Sequence, residues 1–513
     1  NILVDCGMEQ GNDVYENQEL PIAASDVDCI LLTHAHIDHS GLIPLMYVNG
    51  FRGQVYSTSA TAQLCEIMLR DSAHIQMFEA EWRNRKAARS GGKLKEFVPL
   101  YDMDAAVNVC KQFVGCEYDR VYDIAEGIKI RFTDVGHLLG SASIEVWATE
   151  KTENGDVTEK IVFSGDIGNI NKPIIKDPKH VRDADYVVME STYGNRSHGG
   201  TPNYVEDLTD IFKRTFERGG NVVIPSFAVG RTQELLYIIR KIKEDNLVGR
   251  DFDVYMDSPL AIEATNIFIK NVESCFDDEA VELVRKGINP LSFPGLKYAT
   301  TGDESKQINF DPNPKVIISS SGMCEAGRIR HHLKHNLWRP ECTIVFVGYQ
   351  AVGTTGRIIV DGAEEIKLFG EPIQIKAEIV QLKGSSGHAD KDGLLCWINA
   401  FDTKPKKVFV VHGEDSVCDE FTECLKEEYG YDAMAPYTGG SYDLIADRVI
   451  SEGVKERKTR RTTSTQRGKT VFDRLVAAGK RLMTVITHNE GGTNKDLAKF
   501  TDQINALCDK WDR

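Results

Sequence analysis

At 513 residues the chain is too long for one ordinary core and should divide into two or three domains. Its content, 41% hydrophobic and 27% charged, is that of a globular protein, and no apolar run approaches the roughly 20 residues of a membrane-spanning helix, so a membrane partner is not expected. The formal net charge of −16 argues mildly against nucleic acid, yet a cleft can be locally positive and bound metal adds charge that the formal count omits, so that class stays open.

The sequence begins at Asn1 inside a strand-like run, Ile2-Leu3-Val4-Asp5, as expected of a sequence whose first residues are missing, and a targeting segment stays open. The 12 cysteines are scattered with no C-x-x-C pair, which speaks against a zinc ribbon or a redox motif and for a reduced, cytoplasmic setting. From residue 1 to about 195 strands end in polar turns; 59–89 predicts a helix closed by Ser90-Gly91-Gly92, and 102–114 a second. From 196 to 372 the rhythm becomes strand, loop, helix. Asn221 to Pro225 precedes a helix near 231–244, Asp253 to Met256 one near 260–270, Lys315 to Ser319 one near 326–336, and Thr343 to Val347 a short one. That alternation predicts a parallel, doubly wound α/β sheet covered by helices. Short strands return in 373–450, at 378–380 and 408–411. Residues 454–469 carry seven Lys/Arg against one Glu and read as a linker, within a 451–513 segment that ends in helices at 471–482 and 494–510.

The densest chemistry follows the apolar run Cys29 to Thr33: His34-Ala35-His36-Ile37-Asp38-His39. In an extended segment residues i and i+2 face the same side, so His34 and His36 can reach one cation while Asp38 and His39 face a second. Neutral imidazole suits zinc, and an added carboxylate suits a hydrolytic site better than a closed structural one. Further donors recur in one setting, at or just past an apolar strand: His137, Asp166, Glu190, His388 and His412. A single strand-end Asp or His is usually a turn or capping residue. Five of them added to the hexad are better explained as side chains delivered to a shared rim.

In order, Asp5, His34-Ala-His-Ile-Asp-His39, His137 and Asp166 resemble the successive motifs of the metallo-β-lactamase fold. Glu190 in ESTYG, His388 in SGHAD and His412 in VVHGE resemble the three further motifs of its β-CASP branch, which includes the nuclease subunit of eukaryotic mRNA 3′-end cleavage and RNase J. The resemblance covers about residues 1–450. It implies an αββα sandwich, formed by 1–195 and 373–450, into which a β-CASP domain (196–372) is inserted. It also implies two zinc ions, one on His34, His36, His137 and Asp166, the other on Asp38, His39, Asp166 and His412. Asp5 would orient hexad side chains without binding metal. The histidine at 412 resembles the RNA-cleaving members.

The chemistry expected of such a site is phosphodiester hydrolysis, with Asp38 in the catalytic set. Two metal ions can bring the pKa of a shared water toward about 7 and neutralise charge on phosphoryl oxygens during in-line displacement. The departing sugar oxygen needs a proton, for which His388 is the candidate acid and Glu190 its orienting partner. The reading is therefore a zinc-dependent ribonuclease expected to cut single-stranded RNA internally, and the resemblance implies products with a 5′-phosphate and a 3′-hydroxyl. A 5′→3′ exonuclease, a small-molecule hydrolase of the same fold and a silent RNA-binding scaffold are the rivals; the last two leave the insertion, His388 or the full ligand set without purpose. A homodimer is kept open.

A weaker signal lies in the inserted region. Gly230-Arg231, Gly327-Arg328 and Gly356-Arg357 each follow a strand and a small-residue loop, one of them containing Ser320 and Ser321. An arginine where a helix opens faces the positive dipole end, which is unfavourable without an anion. Arg231, Ser320, Ser321, Arg328 and Arg357 are on that ground expected to touch RNA phosphates. The competing reading pairs these arginines with nearby carboxylates.

Overall fold

The computed structural model describes residues 1–8, 22–89, 97–153, 155–197, 199, 203–382, 386–455, 471–491 and 493–511. Two sheets face one another. One is parallel and four-stranded, in the order Ile2–Val4, Cys29–Leu31, Gln54–Thr58, Phe113–Cys116. The other is mixed and seven-stranded: Ala433–Met434, Lys407–Val411, Tyr186–Glu190, Gly155–Phe163, Ala142–Thr152, Ile128–Asp134, Val121–Ala125. Alternate residues decide which face each strand buries. Leu31 and Cys116 of the first sheet meet Ile130, Phe132, Ile144 and Val146 of the second between the layers. Ile30 and Val55 point the other way, onto Leu64, Ala105 and Val109 of the helices Ser59–Arg89 and Met103–Cys110. Val187, Met189, Val408 and Val410 cover the far side with Leu394, Trp397, Phe421 and Leu425 of the helices Lys391–Ile398 and Asp415–Glu427. The result is helix, sheet, sheet, helix.

The inserted region is a six-stranded, all-parallel sheet ordered Leu296–Tyr298, Asp253–Asp257, Lys315–Ser319, Val222–Pro225, Thr343–Phe346, Glu378–Gln381. Its strands are apolar on both faces because helices cover both, as a parallel sheet requires. Val222 and Ile224 pack on Leu235, Leu236 and Phe212, whereas Val223 and Ile344 pack on Ile329, Leu333 and Ile359. The doubly wound α/β expectation is met, and the chain is an αββα sandwich carrying an inserted parallel α/β domain.

Five predicted elements differ from the sequence expectation. The 102–114 helix ends at Cys110, and Phe113–Cys116 is instead an edge strand paired with Gln54–Thr58; its aromatic and β-branched residues gain more from that pairing than from another helical turn. The helix near 326–336 starts only at Ile329. Glu378–Gln381, grouped from sequence with the returning strands, closes the inserted sheet beside Thr343–Phe346, so that sheet extends past 372. The tail helices run longer, Val471–His488 and Asn494–Trp511, with no buried side chain in the second. The basic 454–469 segment lies outside the described residues apart from Val454 and Lys455. Among the described residues no helix is long and apolar enough to cross a membrane.

Candidate metal centre

Most of the proposed donors sit at or just past the end of a strand. His34 follows Cys29–Leu31, His137 follows Ile128–Asp134, and Asp166 follows Gly155–Phe163. Glu190 ends Tyr186–Glu190, and His412 comes directly after Lys407–Val411. His36 caps a one-turn helix, Ile37–Ser40, that carries Asp38 and His39, so the hexad is extended only through its first half. Asp5 and His412 both hold φ near +50°, at 54° and 51°, a conformation that costs energy for residues with a Cβ and that clusters at functional sites.

Among the described residues the donors fall into His34, His36, His137 and Asp166, then Asp38, His39 and His412, with a third, overlapping group of Asp166, Glu190 and His412. In the first, His34 Nε2 lies 3.0 Å from His36 Nδ1, which lies 3.2 Å from His137 Nε2. In the second, His39 Nε2 lies 3.1 Å from His412 Nε2. Asp166 joins them. Its Oδ2 is 3.3 Å from His34 Nε2 and 3.6 Å from His137 Nε2, while its Oδ1 is 3.3 Å from His39 Nε2 and 3.7 Å from His412 Nδ1.

The outer atoms of these rings are held so that the inner nitrogens point inward. His137 Nδ1 donates to the Gly387 carbonyl at 3.2 Å. His39 Nδ1 donates to Asp5 Oδ2 at 2.7 Å, and the Thr33 hydroxyl donates to that same oxygen at 2.8 Å while facing His34 Nδ1 at 3.1 Å. Asp5 therefore orders two rings without entering the donor set, the arrangement usual behind metal-binding histidines. Thr33 and Thr192, the latter 3.1 Å from His412 Nδ1, were not singled out from sequence, although each adjoins a motif that was.

The arrangement fits metal. Asp166 Oδ1 is buried and accepts no hydrogen bond. Burial, with the His34 imidazole alongside, pushes His36 down to about 3; burial and His388 hold His137 well below the ordinary histidine value. Neutral rings that converge lone pairs need a cation between them. Tetrahedral zinc, with bonds of about 2.0–2.1 Å, places its donor nitrogens about 3.3 Å apart, close to the spacings here.

His388 stands beside both groups, its ring centroid 4.5 Å from that of His137 and 6.1 Å from that of His412. Its Nδ1 is 3.2 Å from each Glu190 oxygen. Burial works against its charged form, but the Glu190 and Asp166 carboxylates outweigh it and the pKa is raised. Glu190 is itself aimed by backbone N–H groups, Ile167 onto Oε1 at 2.5 Å and Thr192 onto Oε2 at 3.3 Å.

The inserted-domain residues are not drawn to this centre. Arg231 and Arg328 open their helices as expected, but Arg231 pairs with Glu234 at 2.6 Å, Arg328 with Asp257 at 2.7 Å and Arg357 with Asp361 at 2.7 Å. Ser320 Oγ donates to Ser258 Oγ and Ser321 Oγ to the Ala326 carbonyl. Each arginine thus has the carboxylate partner that the competing reading expected.

Sandwich, insertion and clustered histidines define a metal-dependent hydrolase. Comparison with known proteins narrows that class. A metallo-beta-lactamase superfamily domain matches residues 1–169, a Beta-Casp domain 232–359, and a Zn-dependent metallo-hydrolase RNA specificity domain 372–436. Ribonuclease TTHA0252 of Thermus thermophilus is 34% identical over 81% of this chain and 88% of its own length. An RNase J-like protein of Methanocaldococcus jannaschii is 31% identical over 80% and 87%. The transcription termination factor FttA of Methanosarcina mazei is 32% identical over 85% of this chain but 66% of the factor. The chain belongs to the β-CASP ribonucleases of the metallo-β-lactamase fold, and is a metal-dependent RNA hydrolase.

Proposed function

We propose that the chain cuts single-stranded RNA internally with two zinc ions, leaving a 5′-phosphate and a 3′-hydroxyl. His34, His36 and His137 would hold one ion, Asp38, His39 and His412 the other, with Asp166 shared. Bound there, the ions supply Lewis acidity, making water nucleophilic at neutral pH and offsetting charge on the phosphoryl oxygens. His388, whose pKa Glu190 and Asp166 raise, gives its proton to the departing sugar oxygen, and Glu190 holds the imidazole in line.

The observation that carries this reading is the His388–Glu190 pair. A hydrolase needing only two ions has no use for a third titrating imidazole beside both donor groups, held at 3.2 Å by a buried carboxylate. Glu190 lies within reach of Asp166 and His412 as a further donor, but its oxygens already accept backbone N–H groups, which favours the positioning role.

The test is zinc-loaded protein incubated with a circular RNA. Linear products with 5′-phosphate ends are expected. An intact circle beside a digested linear RNA of the same sequence would replace internal cutting with 5′→3′ exonuclease action, and failure on both would remove the ribonuclease assignment.

A further inference from the structure

A buried chain of charges crosses from the metal centre into the inserted domain, and the mechanism above makes no use of it. Lys172 sits in the loop that follows Asp166. Its ammonium donates to the backbone carbonyl of His137 at 3.0 Å and lies 3.1 Å from Glu234 Oε1. Glu234 belongs to the helix Arg231–Glu244 of the inserted domain, and its other oxygen is 2.6 Å from Arg231. The three side chains are only 12%, 9% and 14% exposed. A second contact joins the same two places: Gly230, at φ 83°, lies so close to Leu138 that a Cβ there would stand 3.1 Å from its Cδ1. The turn that carries His137 is thus pinned to the start of one inserted-domain helix by a charge clasp and by a packing contact.

We propose that Lys172 is a positioning residue for His137, and that its anchorage on Glu234 makes the geometry of the metal centre depend on where the inserted domain sits. The proposal rests on the reading of His137 as a metal donor. The physical reason is leverage. His137 has its Nδ1 fixed by Gly387 and its carbonyl fixed by Lys172, so the ring hangs between two holds, and releasing the carbonyl frees the peptide that aims it. A buried lysine costs stability unless paired, and its pairing here is spent on a ligand's backbone, which a purely structural ion pair would not require.

The probe is Co²⁺ titrated into metal-depleted full-length protein, read by ligand-field absorption. Lys172→Met leaves Glu234 paired with Arg231, so no buried carboxylate is orphaned and the fold should persist in a thermal melt. Co²⁺ affinity should fall about 10–100-fold, the usual cost of removing support behind a ligand, with a changed absorption band. Lys172→Arg should restore most of it, since a guanidinium can reach both acceptors and a cavity of about 1100 Å³ adjoins the site. Glu234→Gln should weaken Co²⁺ binding less, and adding it to Lys172→Met should cost nothing more, because both act through one ammonium. Wild-type affinity in Lys172→Met, or independent losses that multiply in the double variant, would overturn the proposal; if Lys172→Met does not fold, wild-type affinity in Glu234→Gln does so instead. His137→Ala separates the two layers. If it binds Co²⁺ normally, the donor assignment itself is wrong and the proposal falls with it. If it loses affinity while Lys172→Met does not, only the proposal fails.

Discussion

The two sides of Asp166 differ, three imidazoles on one and two imidazoles with a carboxylate on the other, and His36 and His137 are shifted one way where His39 and His412 are shifted the other. Around His36 and His137 desolvation wins, with other histidines alongside, and both are shifted toward the neutral form. Carboxylates hold the other pair: Asp166 and Asp5 raise buried His39 well above its ordinary value, and Asp166 and Asp38 bring half-buried His412 up to about 9. Asp38 is correspondingly held down, against its own burial, by His412 and His39. Burial alone therefore does not decide which form a histidine favours; a carboxylate hydrogen-bonded directly to the ring does.

The largest effect should come from the one residue on both sides. Asp166→Ala is expected to lower metal content more than His137→Ala or His412→Ala and to reduce RNA cleavage to background, as elemental analysis and an RNA assay would show. Loss of a single ion in that variant would mean that the sides are independent. Next comes the residue between them. His388→Ala should keep both ions and bind RNA about as well as wild type, while turnover drops roughly 10²–10⁴-fold, the range of general acid catalysis. A substrate with a sulfur leaving group, which departs without protonation, should recover much of that loss. If the variant instead loses metal, His388 belongs to a donor group.

Asp5→Asn tests the charge behind the second side. Asparagine tolerates the left-handed backbone that Asp5 adopts, so the change removes charge from behind His39 with little backbone cost. Affinity for the second ion should fall about 10–100-fold, with a smaller change at the first. Equal losses on both sides would place the effect in Thr33 rather than in His39. The mildest test is pH. Metal binding must expel the protons of His39 and His412, so second-ion affinity should rise with pH up to about 9, by roughly tenfold per pH unit for each proton displaced. First-ion affinity should be nearly flat across neutral pH, because His36 and His137 are neutral there already. Parallel metal titrations at several pH values separate the two, and matching slopes would dissolve the distinction.

The donor residues were legible because their signal is local: a hexad dense in ligand types, then single donors placed where apolar runs stop. The doubly wound sheet was legible for the same reason, since strands buried on both faces read as unbroken apolar runs. The inserted-domain arginines show where local signals end. Their position at helix starts was readable, but the carboxylates that satisfy them were not: Arg328 meets Asp257, 71 residues away, through the fold. Phe113–Cys116 likewise depends on a partner strand that its own residues do not announce.

By itself the sequence determined which side chains could bind metal, which could donate a proton, and that an α/β layer interrupts the sandwich. Tertiary structure alone decided which oxygen of Asp166 faces which histidines, which imidazoles keep their protons, and that Lys172 reaches from its own loop to the His137 carbonyl and on to Glu234. The reason is physical. Ligand identity is a property of a residue, whereas protonation and leverage are properties of an environment, set by burial and by charges brought together from segments far apart in the chain.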